Sequence, residues 1–524
     1  MHRILRQTLE VSTATEAGAR EVQAVIGDLA KGRGAAALAE VFDRIGRDRV
    51  LRLDRLEIDL GIMAGEGWTE EFLARLRVAV QDGLQRCHDV AEPQEDAGNA
   101  EGPRARAAGA RDLTAAETRA EALAAYLEIG RLPWWSEIDP ALPDWFGIEF
   151  AALAPAAAAA LAKNAARRGA AFSRLIRSMP AAELARLLPE ARWRDEASQV
   201  LPELAAACAR TANGASRDAM LRAVWHPGFA EKGPASTEAL RLTVCRAIAE
   251  VAAMSNSAGA ISAILREAAA NLPRNWQQSL QDVAEAVSGQ TGNSHSGPGA
   301  DAGRAGNEKS AGTEGAPAAQ PLQARAPGAA TPPGTPPEAA VATLAAVGSP
   351  APAQPGAGEA IAVEAAGLVL LHPFLPELFE RARYASDGCL AEGEARHKAA
   401  RLLGHVGLGD AEADEARLTL ARLLAGVPED EALLPDPPAA EAIAAAEAML
   451  AAVLSHWAAL RSASSDWLRA QFLERDGLLR TVDAGWSLQV ETRAQDVLLA
   501  GLPWGFGTVV LPWMGAPIHV RWLD

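Results

Sequence analysis

The chain has 524 residues, more than one hydrophobic core ordinarily supports, so two or more folded units joined by linkers are expected. Its formal net charge of −17 argues against a general nucleic-acid or anionic-membrane binder, because both require clustered Lys and Arg to displace counterions. The four cysteines, Cys87, Cys208, Cys245 and Cys389, are scattered, with no CxxC pair and no His placed to complete a zinc pattern, so reduced structural thiols are expected and no metal or other cofactor.

From the amino end, Met1 to Thr8 alternates polar and apolar residues and lacks the uninterrupted apolar core of a signal peptide, which points to the cytoplasm. Ile4 to Val11 suits an early strand. Val22, Val25, Ile26 and Leu29, then Leu38, Val41, Phe42 and Ile45, fall at helical spacing in two helices that Gly32 and Gly34 separate. In the strand Leu51 to Gly61 the apolar phase switches from odd to even positions, and a bulge near Asp54-Arg55 would restore one apolar face. The next helix sets Trp68, Phe72, Leu76, Val80 and Leu84 at steps of four, with Glu70 and Glu71 in its first turn where the helix dipole favours acids. Residues 1–88 therefore read as a small α+β unit.

Residues 89–112 lack apolar periodicity and read as a linker. The Ala-rich stretch 113–287 is helical in pattern, and Pro140, Pro143, Pro155, Pro180, Pro189, Pro202, Pro227, Pro234 and Pro273 should cut it into short helices. Neither Ala151 to Ala162 nor any other run reaches the length and hydrophobicity of a membrane span. Residues 288–360 are dominated by Gly, Pro, Ala and Ser, cannot bury enough surface to offset their ordering entropy, and are expected to be a disordered linker. The last unit, 361–524, reads as helices followed by strands. Ile443, Leu450, Val453, Leu454 and Trp457 align on one helix face, Ser464 caps the next helix, and Gly477 ends it as a left-handed C-cap. A hairpin follows, with Trp486, Leu488 and Val490 inward and Ser487, Gln489 and Glu491 outward. A short helix from Arg493 to Ala500 and the alternating Ile518, Val520 and Trp522 complete a small sheet. The fold class is α+β, predominantly α.

Few residues suggest catalysis. His397 and His405 can share a helix face but lack the carboxylate of an HExxH site, His372 precedes Pro373 in a turn context, and His456 flanks Trp457 as a core-edge partner. Asp54, Glu57 and Asp59 are the one acidic cluster on an expected strand. Paired acids can hydrolyse glycosides or hold a metal, but alternation alone generates such an outward face, paired with Arg52 and Arg55. Gly32-Arg33-Gly34 lacks the Lys-Ser/Thr of a phosphate loop. The unusual feature is tryptophan: thirteen in the chain, six of them between Trp457 and Trp522, against two tyrosines. Trp504 and Trp513 each follow a proline that fixes the turn, beside Gly505, Gly507 and Gly515. They read either as core anchors or as anchors for a partner, and at most one is left for the partner if the strands pack into one sheet.

Several segments in order resemble the tape measure proteins of contractile injection systems, the phage-tail-like particles that drive a tube through a sheath. The resemblance rests on Leu51 to Gly61, preceded by Val41-Phe42-Asp43; on Tyr126 to Trp135, similar to the family's Gly-x-Leu-Pro-Trp-Trp; and on Ala366 to Pro376, Leu450 to Trp457, Phe472 to Gly477, Leu502 to Gly505 and Leu511 to Met514. Where the family usually has Leu-x-Leu-Asn-Lys-Leu-Leu-Cys-Gly, this chain has Leu418-Thr419-Leu420-Ala421-Arg422-Leu423-Leu424-Ala425-Gly426, so any role of that Cys is absent. The resemblance implies a non-enzymatic assembly protein that sets inner tube and sheath length, or an adaptor or scaffold that docks through its carboxyl-terminal unit without measuring. It implies tube, baseplate or spike proteins as partners, with no nucleic acid, membrane or small-molecule substrate, and a place in the particle after cytoplasmic assembly. Trp504, Trp513, Trp134 and Trp135 are the candidate partner-binding residues. Fully helical, the chain reaches at most about 790 Å.

Overall fold

The computed structural model describes residues 29–44, 49–53, 55–63, 67–88, 104–108, 111–188, 191–211, 213–230, 233–255, 257–292 and 360–522, with scattered positions between 4 and 27. Of the strand expected at Ile4 to Val11, positions 4, 7 and 9–11 are described, and they are exposed and form no strand; the helix before Leu29 lies largely outside the described residues, as does the expected linker before Ala360. The fold is predominantly helical with small sheets, and among the described residues the buried apolar side chains form three separate clusters.

The first cluster gathers Leu29, Leu38 and Val41 against Phe72, Leu76, Val80 and Leu84. Gly32 and Gly34 do not separate two helices. A π turn, Ala30–Gly34, runs directly into α1 (Ala35–Phe42), because burying Leu29 and Leu38 on one face outweighs the ~1 kcal/mol that a glycine costs inside a helix. Strands β1 (Arg49–Arg52) and β2 (Arg55–Asp59) precede α2 (Trp68–His88). They pair antiparallel with β4 (Arg111–Thr114) and β3 (Arg104–Ala108) respectively. Arg52 faces Arg111 and Arg55 faces Ala108, so equal lengths of chain separate the two pairings and no bulge is inserted; Asp54 itself lies outside the described residues. Both phases, Leu51 and Leu53 as well as Leu56, Ile58 and Leu60, still pack on the cluster, as the twist of a two-stranded ribbon allows. Strand β3 and the start of β4 fall inside the stretch expected to be a linker. Their pairing partner is distant in sequence, so no local periodicity announces it.

The second cluster is built by helices α3 (Ala115–Ile129), α4 (Trp145–Ala151), α5 (Pro155–Ala165), α6 (Gly169–Ser178), α7 (Ala181–Arg186), α8 (Ala191–Cys208), α9 (Gly214–Phe229), α10 (Thr237–Met254), α11 (Ala258–Ala269) and α12 (Arg274–Gly292). Thr114 and Glu117 make a reciprocal capping box at the start of α3, which satisfies two otherwise orphaned N–H groups. Phe172, Trp225 and Trp276 are fully buried, and the Trp276 indole donates to Glu196 at 2.7 Å. Pro155 opens α5, but Pro202 and Pro227 do not cut their helices: they lie within α8 and α9, held there by burial of Val200, Leu201 and Leu204 in one and of Val224, Trp225 and Phe229 in the other.

The third cluster begins with a strand rather than a helix. β5 (Ala360–Val363) adds to the edge of a sheet ordered β10-β11-β9-β8-β5. Here β8 (Gly477–Val482) and β9 (Gly485–Val490) form the expected hairpin, β10 (Thr508–Val509) is the far edge, and β11 (Ile518–Arg521) lies parallel to β9. Trp486, Leu488 and Val490 are buried, Gln489 and Glu491 are exposed, and Ser487 is half-buried. Helices pack on the buried face: a 3-10 segment, Ala366–Phe374, then α13 (Leu375–Arg381), a minimal hairpin of β6 (Ala385–Ser386) and β7 (Cys389–Leu390), α14 (Glu394–Leu408), α15 (Thr419–Leu424), α16 (Ala440–His456) and α17 (Ser465–Leu468). Ser464 caps α17 through Trp467 N, as its position implies. Gly477 is not a left-handed cap. It opens β8 opposite Val490, and the chain leaves the helix through a π turn, Arg469–Leu473, capped by Glu474.

Candidate functional site

The two Leu-Pro-Trp segments lie on the surface of the third cluster, each pinned to a helical segment by its indole. Trp504 donates to Leu370 O at 2.9 Å and sets its ring edge-on to Phe374, 5.0 Å between centroids. Trp513 donates to Leu424 O at 2.8 Å and tilts against Phe379 at 5.4 Å. Both rings are half-buried. Leu424 closes α15, where the last carbonyls lack intrahelical partners, and Leu370 lies inside the 3-10 segment three residues before Pro373, which has no N–H to donate, so each indole supplies a donor where the backbone offers fewer. Trp522 is buried instead, and its indole donates to Asp496 Oδ2 at 3.0 Å, while Asp496 also accepts from the buried Arg475 at 2.7 Å. From Val497 to Ile518 the chain has no charged residue. Val497 is 74% and Val510 64% exposed, with Pro503 and Pro512 also exposed.

Trp134 and Trp135 are half-buried in the loop after α3. Trp135 lies beneath the Arg52 guanidinium, 3.9 Å from the ring centroid, a cation–π contact that ties β1 to this loop. Arg52 and Arg111 face each other across β1 and β4, a like-charged pair that Glu121 of α3 bridges with one carboxylate oxygen to each.

The same loop meets the third cluster. Gly130 caps α3 in the left-handed conformation, φ 74°, where a side chain is strained and a Cβ would come within 2.4 Å of Glu415 Oε1. Arg131 donates to Glu429 at 2.9 Å. Arg174 of α6 is fully buried. It donates to Glu415 Oε1 at 3.1 Å, to Leu127 O and Glu128 O at 2.9 Å each, and to Glu431 O at 2.7 Å. Arg422 of α15 donates to the same Glu415 oxygen at 2.5 Å and to Pro428 O and Glu431 O. Burial pushes the Glu415 carboxyl up, but Arg422, Arg174 and Arg177 outweigh it and hold the group below its ordinary value. Farther along the same strap, 427–439, Arg177 donates to Leu433 O and Arg217 pairs with Asp436 at 3.1 Å. Sequence reading missed this junction. Its signal is a charge inside an apolar helix face: Arg174 among Phe172, Leu175 and Ile176, and Arg422 between Leu420 and Leu424.

The other sequence candidates stay apart. His397 contacts Glu431 at 3.1 Å, His405 lies 3.9 Å from Glu447, and His372 faces Val369 O. Arg55 pairs with Glu57 at the surface, whereas Asp59 accepts from Gly61 N and Arg52 serves Glu121. Burial pushes the Cys208 thiol up to about 12 and that of Cys245 up to about 11, which suits inert core groups, while Cys389 is exposed. Among the described residues no group of three or more His, Cys, Asp or Glu is placed to hold a metal, and no helix is long and apolar enough to cross a membrane.

A family model for the contractile injection system tape measure protein matches residues 1–522. The chain belongs to that family. No curated protein and no solved structure matches it. Segments that carry the resemblance to tape measure proteins are neighbours in space: Arg52 of the Leu51 to Gly61 strand covers Trp135, and Gly130 and Arg131 of the Leu-Pro-Trp-Trp loop touch the segment around Arg422. The sequence of this tape measure chain thus marks a meeting point of all three clusters.

Proposed function

We propose that this chain sets the length of the inner tube and sheath during assembly of a contractile injection particle, acting through physical reach and not through catalysis. The family match over nearly the whole chain carries the reading. Its partners are tube, baseplate or spike subunits, with no nucleic acid, membrane or small-molecule substrate, and it enters the particle after assembly in the cytoplasm. The docking surface is the uncharged run Val497 to Ile518, where Trp504 and Trp513 fix the loop shape through their N–H groups and offer the outer face of at most one indole.

That surface also favours a second reading, an adaptor that nucleates assembly by docking without measuring. One experiment separates the two: lengthening or shortening the stretch 293–359 and imaging particles by electron microscopy. Particle lengths that shift in proportion support the ruler. Unchanged lengths with an altered yield sink it in favour of the adaptor.

A further inference from the structure

The helical core and the carboxyl-terminal core have separate apolar clusters, which meet at Ala416, and the polar contacts between them are made mainly by arginines. From the helical side Arg131, Arg174, Arg177 and Arg217 reach Glu429, Glu415, Glu431 O, Leu433 O and Asp436. From the other side Arg422 grips the same strap at Pro428 O and Glu431 O, and Arg401 donates to Leu434 O at 2.8 Å. Asn213 adds a bond to Glu394 at 2.9 Å. At Gly214 the approach is so close that a Cβ would lie 1.9 Å from Asp436 Oδ2.

We propose that this junction is a latch: the two cores separate at the strap 427–439 while each keeps its own packing intact. Two physical arguments carry it. First, a buried ion pair adds little net stability over well-packed apolar groups, because desolvation consumes most of the Coulombic gain. Second, inter-domain contacts that are polar and lack a shared apolar core permit relative motion. Glu415 is the pin. One of its oxygens receives both Arg174 and Arg422, so a single carboxylate is shared between one buried guanidinium from each core. The closed latch fixes where the end of α12 and the start of β5 lie, and opening it lets those two ends part. The latch does not depend on the ruler reading, since an adaptor carries the same junction.

Small-angle X-ray scattering on the full chain, with circular dichroism alongside, tests it. Glu415→Gln leaves two buried guanidinium groups without their shared carboxylate, and the expected result is a larger radius of gyration with undiminished helicity. The triple variant Arg174→Met, Glu415→Leu, Arg422→Met replaces the charges by apolar groups and should return the compact value. If Glu415→Gln fails to fold, the pair Arg131→Ala and Arg217→Ala, which removes two strap contacts and leaves Glu415 paired, is read in the same way. Scattering unchanged from the parent, or expansion accompanied by loss of helix, overturns the proposal. So does a triple variant that remains expanded.

Discussion

Single residues decide whether the tryptophan-rich end keeps its shape. Trp504→Phe retains most of the ring but leaves Leu370 O without its donor, and Trp513→Phe does the same to Leu424 O. Each is expected to cost about 1 kcal/mol, the net worth of one hydrogen bond, read as a lower urea midpoint at constant m-value. Midpoints equal to the parent's would show that the indoles are not anchored by these carbonyls. His405 gives a second residue-scale expectation. Burial and the nearby Arg469 lower its pKa against the opposing pull of Glu447 and Asp410, and neither ring nitrogen has a hydrogen-bond partner. The folded state therefore resists protonation. Its contribution is fully present above the unfolded value near 6.5 and is lost as pH falls through the lower folded value. His372 and His397 are lowered too, mainly by burial, and act in the same direction. His405→Gln should flatten part of the decline in stability below about pH 6.5, measured as denaturation midpoint against pH. A slope identical to the parent's would remove His405 from the account.

At the scale of elements, close approach of backbones explains one glycine that propensity cannot. Gly367, in the 3-10 segment Ala366–Phe374, lies so near the π turn at Arg469–Leu473 that a Cβ would come 1.7 Å from Phe472 O. Gly367→Ala must push the two segments apart and is expected to cost more than about 3 kcal/mol. Gly259→Ala in α11, where a Cβ meets nothing within 4 Å, should be neutral or stabilising by ~0.5 kcal/mol. Similar midpoints for the two variants would refute the argument from packing. The same contrast separates what was legible in the sequence from what was not. The β8–β9 hairpin, the α2 stripe and the Ser464 cap are local patterns, so Trp486, Leu488 and Val490, Phe72 to Leu84, and Trp467 N fall where their spacing places them. Strands β3, β4 and β5 depend on partners far along the chain, and the arginine junction depends on two cores meeting, which leaves no period to read. Gly477, Pro202 and Pro227 depart from the expectation for another reason: pairing with Val490 claims Gly477 for β8, and burial of the two helices outweighs the local preferences of the prolines.

For the whole molecule, separate apolar clusters imply separate cooperative units, because cooperativity follows contiguous burial. Calorimetry of the full chain should then show more than one transition, with a calorimetric enthalpy that exceeds the van't Hoff value for any one of them. Asp496→Ala identifies which transition belongs to the tryptophan-rich core. It removes the carboxylate that accepts from Arg475, Arg493 N and Trp522, and leaves the Arg475 guanidinium, 1% exposed, without its ion-pair partner. Breaking a buried pair in this way costs about 3–5 kcal/mol. Only the transition of residues 360–522 should move down, with that of the helical core held in place. A uniform shift of the entire profile would mean that the arginine junction fuses the two cores into one cooperative body. The first outcome is the one the latch requires, since cores that melt separately can part without either one unfolding.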